Sequence, residues 1–213
     1  MPYNPRASVR EQVRTSIESS LYNLRLSDES PSTDGAYIDM LILHSPLPTT
    51  HETMEAWAML ESYVPHCIRN LGISNCPLSV LKLLYNSPGI TIKPAVVQNR
   101  FYRDTGFDVP LRAFCRQKEL VYESFRTLSA NPHLLQSDAV RLVAGKAGIS
   151  LAAALYCLVI GLGQTTVLNG TTNEAHMQED LAAPGQIEQM KSEAYELWKG
   201  ALASFKLMIG ERL

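Results

Sequence analysis

The chain has 213 residues, 46% of them hydrophobic, enough apolar material for a real core in one generous domain or two small ones. Its 19 basic and 21 acidic residues leave a formal charge of −2 and are spread along the whole length, so no basic stripe awaits a phosphate backbone and nucleic acid is excluded as an expected partner. A membrane is excluded in the same way: no apolar run reaches the roughly 20 residues of a span, and Met1-Pro2-Tyr3-Asn4-Pro5 lacks the charged-then-apolar pattern of a signal peptide.

The first element predicted in chain order is a helix from about Ser8 to Leu24. Ser8-Val9-Arg10-Glu11 is a capping-box signature, and Val9, Val13, Ile17, Leu21 and Leu24 fall on one helical face. Ser27 to Gly35 is polar, with Pro31 and Gly35 as breakers, and reads as a surface loop. From there a short apolar strand, a polar loop and an amphipathic helix repeat. Strands are predicted near Tyr37–Leu43, Cys67–Ile73, Ala95–Gln98, Leu120–Phe125 and Thr165–Leu168. Helices are predicted near Met54–Tyr63, Leu78–Leu84, Val109–Lys118, Ser150–Ile160 and Asn173–Leu181, with a short extra one over Asp138–Lys146. Pro184–Leu213 carries apolar residues at three- and four-residue spacing and reads as one long terminal helix with Gly200 as its weak point. Alternating units of this kind imply an α/β fold, with parallel strands and helices outside, in a single domain over residues 1–213.

Cys67, Cys76, Cys115 and Cys157 show no paired short spacing and sit in apolar or strand-like contexts, which argues for reduced core thiols in a cytoplasmic protein. His51, His66 and His133 have no carboxylate or cysteine arranged as a ligand motif, so no metal is expected. Glu188, Lys191, Glu193, Glu196 and Lys199 read as the solvated face of the terminal helix.

His44 stands at the C-terminal end of the first strand, where strand–helix barrels place their chemistry; the alternative is a core histidine bonded to backbone. Ser74, Asn75 and Gln98 supply hydroxyl and amide groups at neighbouring strand ends, suited to a carboxamide's acceptor and donors, although Asn75 could equally cap the helix after Pro77. Phe125 is either a stacking platform for a planar ring or plain core.

Asp39-Met40-Leu41-Ile42-Leu43-His44-Ser45-Pro46 resembles the active-site histidine strand of the aldo-keto reductases, and Trp57-Ala58-Met59-Leu60-Glu61 resembles the helix after it. Arg69-Asn70-Leu71-Gly72-Ile73-Ser74-Asn75 looks like the next strand, ending in the Ser-Asn pair that in this family bonds the nicotinamide carboxamide, and Gln98 matches the glutamine with the same task. Val121 to Pro132 is similar to a fungal-type version of the following strand, where Phe125 matches the aromatic that stacks on the nicotinamide ring. Leu168-Asn169-Gly170-Thr171-Thr172-Asn173 resembles the last strand-to-helix turn, which approaches the cofactor's adenosine phosphate.

The resemblance implies about the last five units of an eight-fold (β/α)8 TIM barrel, N-terminally truncated, because the histidine strand is the family's fourth and only about forty residues precede it. It also implies an NAD(P)H-dependent oxidoreductase that reduces an aldehyde or ketone, with a place in fungal secondary metabolism. Of the family's aspartate, tyrosine, lysine and histidine, only His44 has a counterpart; Tyr3 and Tyr37 lie outside the tyrosine motif. The usual 2′-phosphate clamp aligns with Gly170-Thr171, His176 and Asp180, so discrimination between NADP(H) and NAD(H) is expected to be weak, while the Gly170-Thr171-Thr172 turn can still offer backbone N–H groups. Missing strands leave open edges, for which a second copy or a complementing chain is the expected cover. The alternative function is a repurposed, non-redox barrel fragment that serves as a binding or regulatory subunit or uses its pocket for acid–base or cyclisation chemistry.

Overall fold

The computed structural model describes residues 6–25 and 35–211. Tyr3 and nearly all of the expected 27–35 loop fall outside them. The chain divides into two compact units between Gln98 and Asn99.

The first unit opens with α1 (Val9–Asn23), where the Ser8 hydroxyl accepts from the Glu11 N–H at 3.2 Å and so makes the expected N-cap. Only Ile17 of the apolar face is fully buried, and Leu24 is exposed. Then come β1 (Ile38–Leu43), α2 (Thr50–Glu61), β2 (Ile68–Ser74), α3 (Leu78–Asn86) and β3 (Val96–Arg100). The start of α2 lies four residues before the sequence expectation. A complete capping box sets it there, with Thr49 accepting from the Glu52 N–H while the Glu52 carboxylate accepts from the Thr49 N–H. β1, β2 and β3 run parallel, with Ile42 opposite Gly72 and Gly72 opposite Val96. Gly72 is required by that crowding: a Cβ there would stand 2.4 Å from Ile42 Cδ1 and 2.9 Å from the Val96 carbonyl. The helices bury Trp57, Leu60, Leu81 and Leu84 with Ile68, Leu71, Ile73 and Val97, and the Trp57 indole donates to the Ile92 carbonyl at 2.9 Å.

The second unit contains a 3₁₀ segment (Arg103–Asp108), α4 (Val109–Lys118), β4 (Val121–Phe125), α5 (Pro132–Leu135), α6 (Asp138–Ala147), α7 (Leu151–Ile160), β5 (Thr165–Val167) and α8 (Glu174–Met208). β4 and β5 pair in parallel, with Tyr122 opposite Thr165. Ser150 caps α7 through the Ala153 N–H. Phe101, Leu111, Cys115, Tyr122, Val143, Leu155, Leu158 and Phe205 form the core of this unit.

Two helices were expected on either side of Pro184, but α8 is continuous there and its irregular residue is Ala194 (φ −146°, ψ 53°). A proline removes one N–H and crowds one carbonyl, yet Ala183 and Ile187 beside it are buried and hold the turn in place. Gly200 stays helical. The helix ends where Gly210 takes a left-handed φ of 77°, and the N–H groups of Gly210 and Glu211 bond back to Leu207 and Lys206. Trp198 packs on Gly161, where a Cβ would stand 2.8 Å from the indole. No single described helix is long and apolar enough to cross a membrane.

Candidate functional site

In the first unit the parallel register brings four of the expected residues together at the C-terminal ends of the strands. Ser74 lies opposite Gln98. Its hydroxyl donates to the Gln98 carbonyl at 2.8 Å, and the Asn75 N–H donates to the same oxygen at 3.0 Å. Asn75 adopts a left-handed φ of 50°, tolerable for asparagine, which turns its side chain back over the strand ends. From there its amide nitrogen donates to the His44 carbonyl at 2.9 Å and to the Ser74 hydroxyl at 3.2 Å. Helix capping is therefore not its role: Pro77 occupies the N-cap of α3, with no side-chain cap bond. Both amide hydrogens of Asn75 are used within the chain, so its oxygen is the atom left to meet an external donor.

The core alternative for His44 also falls, because the residue is exposed at the rim of a cavity of about 410 Å³. That cavity lies between α1 (Val9, Val13 and Ile17) and β1 (Leu41 to Leu43), and its wall contains no tyrosine, lysine or aspartate. Tyr37 precedes β1, at the end opposite His44, and its ring lies 3.9 Å from the Arg69 guanidinium. It supplies no proton donor to His44.

In the second unit Phe125 and Gly170 line one cavity of about 470 Å³, together with Arg126, Tyr156 and Asn169. Phe125 is only half-buried, which leaves part of its ring open to a stacking partner. Tyr156 and Asn169 also line a second, more apolar cavity of about 380 Å³ with Met177 and Leu181. Burial, then the nearby Asp180 carboxylate, raise the Tyr156 pKa, so its hydroxyl stays protonated and can donate.

Thr171 and Thr172 are not part of either wall. Thr171 accepts from the Asn173 N–H at 3.1 Å, and Asn173 caps α8 by accepting from Ala175 at 2.9 Å and His176 at 3.4 Å. The N–H groups of Asn173, Ala175 and His176, just after that turn, are thus taken by the chain itself. Asp180 accepts from the Asn169 amide at 2.7 Å.

The second unit also holds a polar network that sequence reasoning missed. Asp108 accepts from Asn99 and from the Tyr122 hydroxyl, each at 3.0 Å. Arg112, 1% exposed, donates to the Glu211 carboxylate at 2.7 Å and to the Phe107 carbonyl at 2.9 Å, while Arg116 reaches the other Glu211 oxygen at 3.0 Å. Burial pushes the Cys115 thiol up to about 12 and that of Cys157 to about 11, so neither is a nucleophile at neutral pH.

No protein-family model matches the sequence. An uncharacterized oxidoreductase of Schizosaccharomyces pombe is 27% identical over 191 residues, covering 87% of this chain and 62% of its own length. The 2,5-diketo-D-gluconic acid reductase B of a Corynebacterium species is 26% identical over 131 residues, 61% of this chain and 46% of the relative. Among solved structures, an aldo/keto reductase from Brucella melitensis superposes with a TM-score of 0.68 at 19% identity, over 89% of this chain and 70% of that one. The chain is thus similar in sequence to oxidoreductases and in fold to aldo-keto reductases. It spans less than two thirds of the length of these curated reductases. Its five strand–helix units and long terminal helix are the fold read from the sequence, part of the aldo-keto reductase barrel.

Proposed function

We propose that the chain is a nicotinamide-dependent oxidoreductase that reduces an aldehyde or ketone to an alcohol. The observation that carries this reading is the joined cluster at the ends of β1, β2 and β3, where Ser74 and Asn75 are locked onto Gln98 and the His44 backbone. The acceptors left over suit the NH₂ of a carboxamide: the Asn75 oxygen is left to accept from it, and a Ser74 lone pair remains. In the second unit, Phe125 offers a half-open aromatic face, and the cavity beside it has one cation and no carboxylate in its wall.

A bound nicotinamide would supply the hydride. The chain's own contribution is to orient the carboxamide through Ser74, Asn75 and Gln98 and to hold a proton at the His44 imidazole, which gives it to the developing alkoxide. Asn75 fixes the His44 backbone, so the ring swings from a constrained position.

The test is direct. Purified chain is titrated with NADH and NADPH by fluorescence, and coenzyme oxidation is followed with a reactive aromatic aldehyde. The reading requires binding of at least one coenzyme and aldehyde-dependent oxidation above the protein-free rate. Absence of both would overturn it.

A further inference from the structure

The cleft between α1 and β1 is unfinished apolar surface. Val9 and Val13 on the helix and Leu41 and Leu43 on the strand are only half-buried, whereas Leu71 and Ile73, opposite those leucines on β2, are fully buried. The charges of α1 lie outside the cleft: Arg10 reaches Glu55 at 3.4 Å and Arg14 reaches Glu18 at 3.9 Å. Its polar members turn to the chain's own backbone, the Gln12 amide donating to the Ala7 carbonyl and the Ser20 hydroxyl to the Ser16 carbonyl, each at 2.9 Å. Apart from His44, no titratable side chain lines this cavity among the described residues.

His44 joins the cleft to the cluster at the strand ends. Its carbonyl accepts from Asn75 at 2.9 Å beside the Ser74 hydroxyl, and the same residue lines the cavity. The volume of about 410 Å³ suits a small molecule. Covering half-buried aliphatic side chains releases water and favours a hydrocarbon ligand. A carboxylate or ammonium pushed between Val13 and Leu41 would find no opposite charge, so burying it there is costly.

We propose that this cleft holds the carbonyl substrate and selects a neutral, mainly hydrocarbon aldehyde or ketone; the ligand's role as substrate rests on the coenzyme reading above. The carbonyl lies at the rim by His44, and the apolar remainder lies between α1 and β1. Selection follows from the wall: each CH₂ placed against Val9, Val13, Leu41 and Leu43 adds affinity, and a charge at the far end of the ligand removes it.

The experiment measures binding of the alcohol products without coenzyme, by calorimetry with 1-hexanol, 1-octanol, 1-decanol and 8-hydroxyoctanoate, in wild type, Val13→Phe and Val13→Asp, with thermal unfolding as the folding control. Wild-type affinity should rise about three- to four-fold per added CH₂, and 8-hydroxyoctanoate should bind at least about ten-fold more weakly than 1-octanol. Val13→Phe, which keeps the wall apolar but narrows it, should flatten the rise from octanol to decanol, and Val13→Asp should weaken decanol about ten-fold or more. No rise with chain length, or a rise unchanged in both variants, would overturn the site while leaving the coenzyme reading in place. Alcohol binding that falls away as the chain self-associates would overturn it in favour of a second copy in the cleft. Val13-dependent alcohol binding without octanal-dependent oxidation of either coenzyme would overturn the substrate role and the coenzyme reading together.

Discussion

The two units handle their polar groups in opposite ways. In the first, the bonds of His44, Ser74, Asn75 and Gln98 lie at the strand ends, and His44 and Asn75 are exposed. In the second, Arg112 and Tyr122 are taken out of water with the half-buried Asp108 beside them, and their bonds cross the core, one joining residues 99 apart in sequence. A strand-end group can be replaced by water when it is lost, whereas a buried charge cannot. The first cluster is therefore a place where function can be removed without the fold, and the second a place where the fold depends on individual side chains.

The largest effect that would sharpen this contrast is at Glu211. Glu211→Gln leaves Arg112, 1% exposed and already with an unpartnered Nη2, without its counter-charge. A loss of about 3–5 kcal/mol in chemical denaturation is expected. A loss under about 1 kcal/mol would show that water reaches the guanidinium and would erase the difference between the units.

His44→Ala is the opposite case. Turnover of an aromatic aldehyde should fall by about a hundred-fold or more. Unfolding free energy should stay within about 0.5 kcal/mol, because the side chain is exposed. A large stability loss with unchanged turnover would break the comparison from this side.

Next comes the Tyr122–Asp108 pair. Tyr122→Phe removes a hydrogen bond to a half-buried carboxylate and should cost about 1.5–3 kcal/mol at neutral pH. Burial raises the Asp108 pKa above the ordinary 3.8 despite the opposing bonds from Asn99 and Tyr122. A raised folded-state value means that the group favours the folded state below its ordinary pKa and that this contribution is lost as pH climbs through the folded one. Asp108→Asn can still accept both bonds through its amide oxygen, so its stability should fall less than wild type's as pH is raised from about 4 to 7. Parallel pH profiles of denaturation midpoint would refute a carboxylate whose burial penalises its charged form.

The smallest effect is at Asn75. Because its backbone is left-handed, glycine keeps the conformation and removes only the side chain. Asn75→Gly should weaken coenzyme binding by roughly two- to ten-fold, one hydrogen bond's worth. An unchanged dissociation constant would make this residue a backbone clamp alone.

Much of the fold was legible because its signals are local. All five strands were found within a residue or two of their limits, and Ser8 and Ser150 mark their helix starts through bonds three residues long. The convergence of Ser74, Asn75 and Gln98 was legible too, since parallel strands of similar length bring their C-terminal ends level. What could not be read depends on partners far along the chain. Arg112 and Glu211 look like ordinary surface charges until the fold brings them together. Ala194, a good helix former, carries the irregular turn of α8 while Pro184 does not, because packing decided against propensity. The Thr49-to-Glu52 capping box was visible in the letters and would have placed the start of α2 correctly.

The chain's two tryptophans fall one to each unit, both buried: Trp57 bonded to the Ile92 carbonyl, and Trp198 seated on Gly161 with the Lys191 ammonium 4.9 Å from its ring. Each unit thus carries its own optical label in a distinct setting, one hydrogen-bonded within apolar packing and the other beside a cation. Replacing either by phenylalanine leaves a single emitter, and its colour change during unfolding times the opening of one half of the molecule independently of the other.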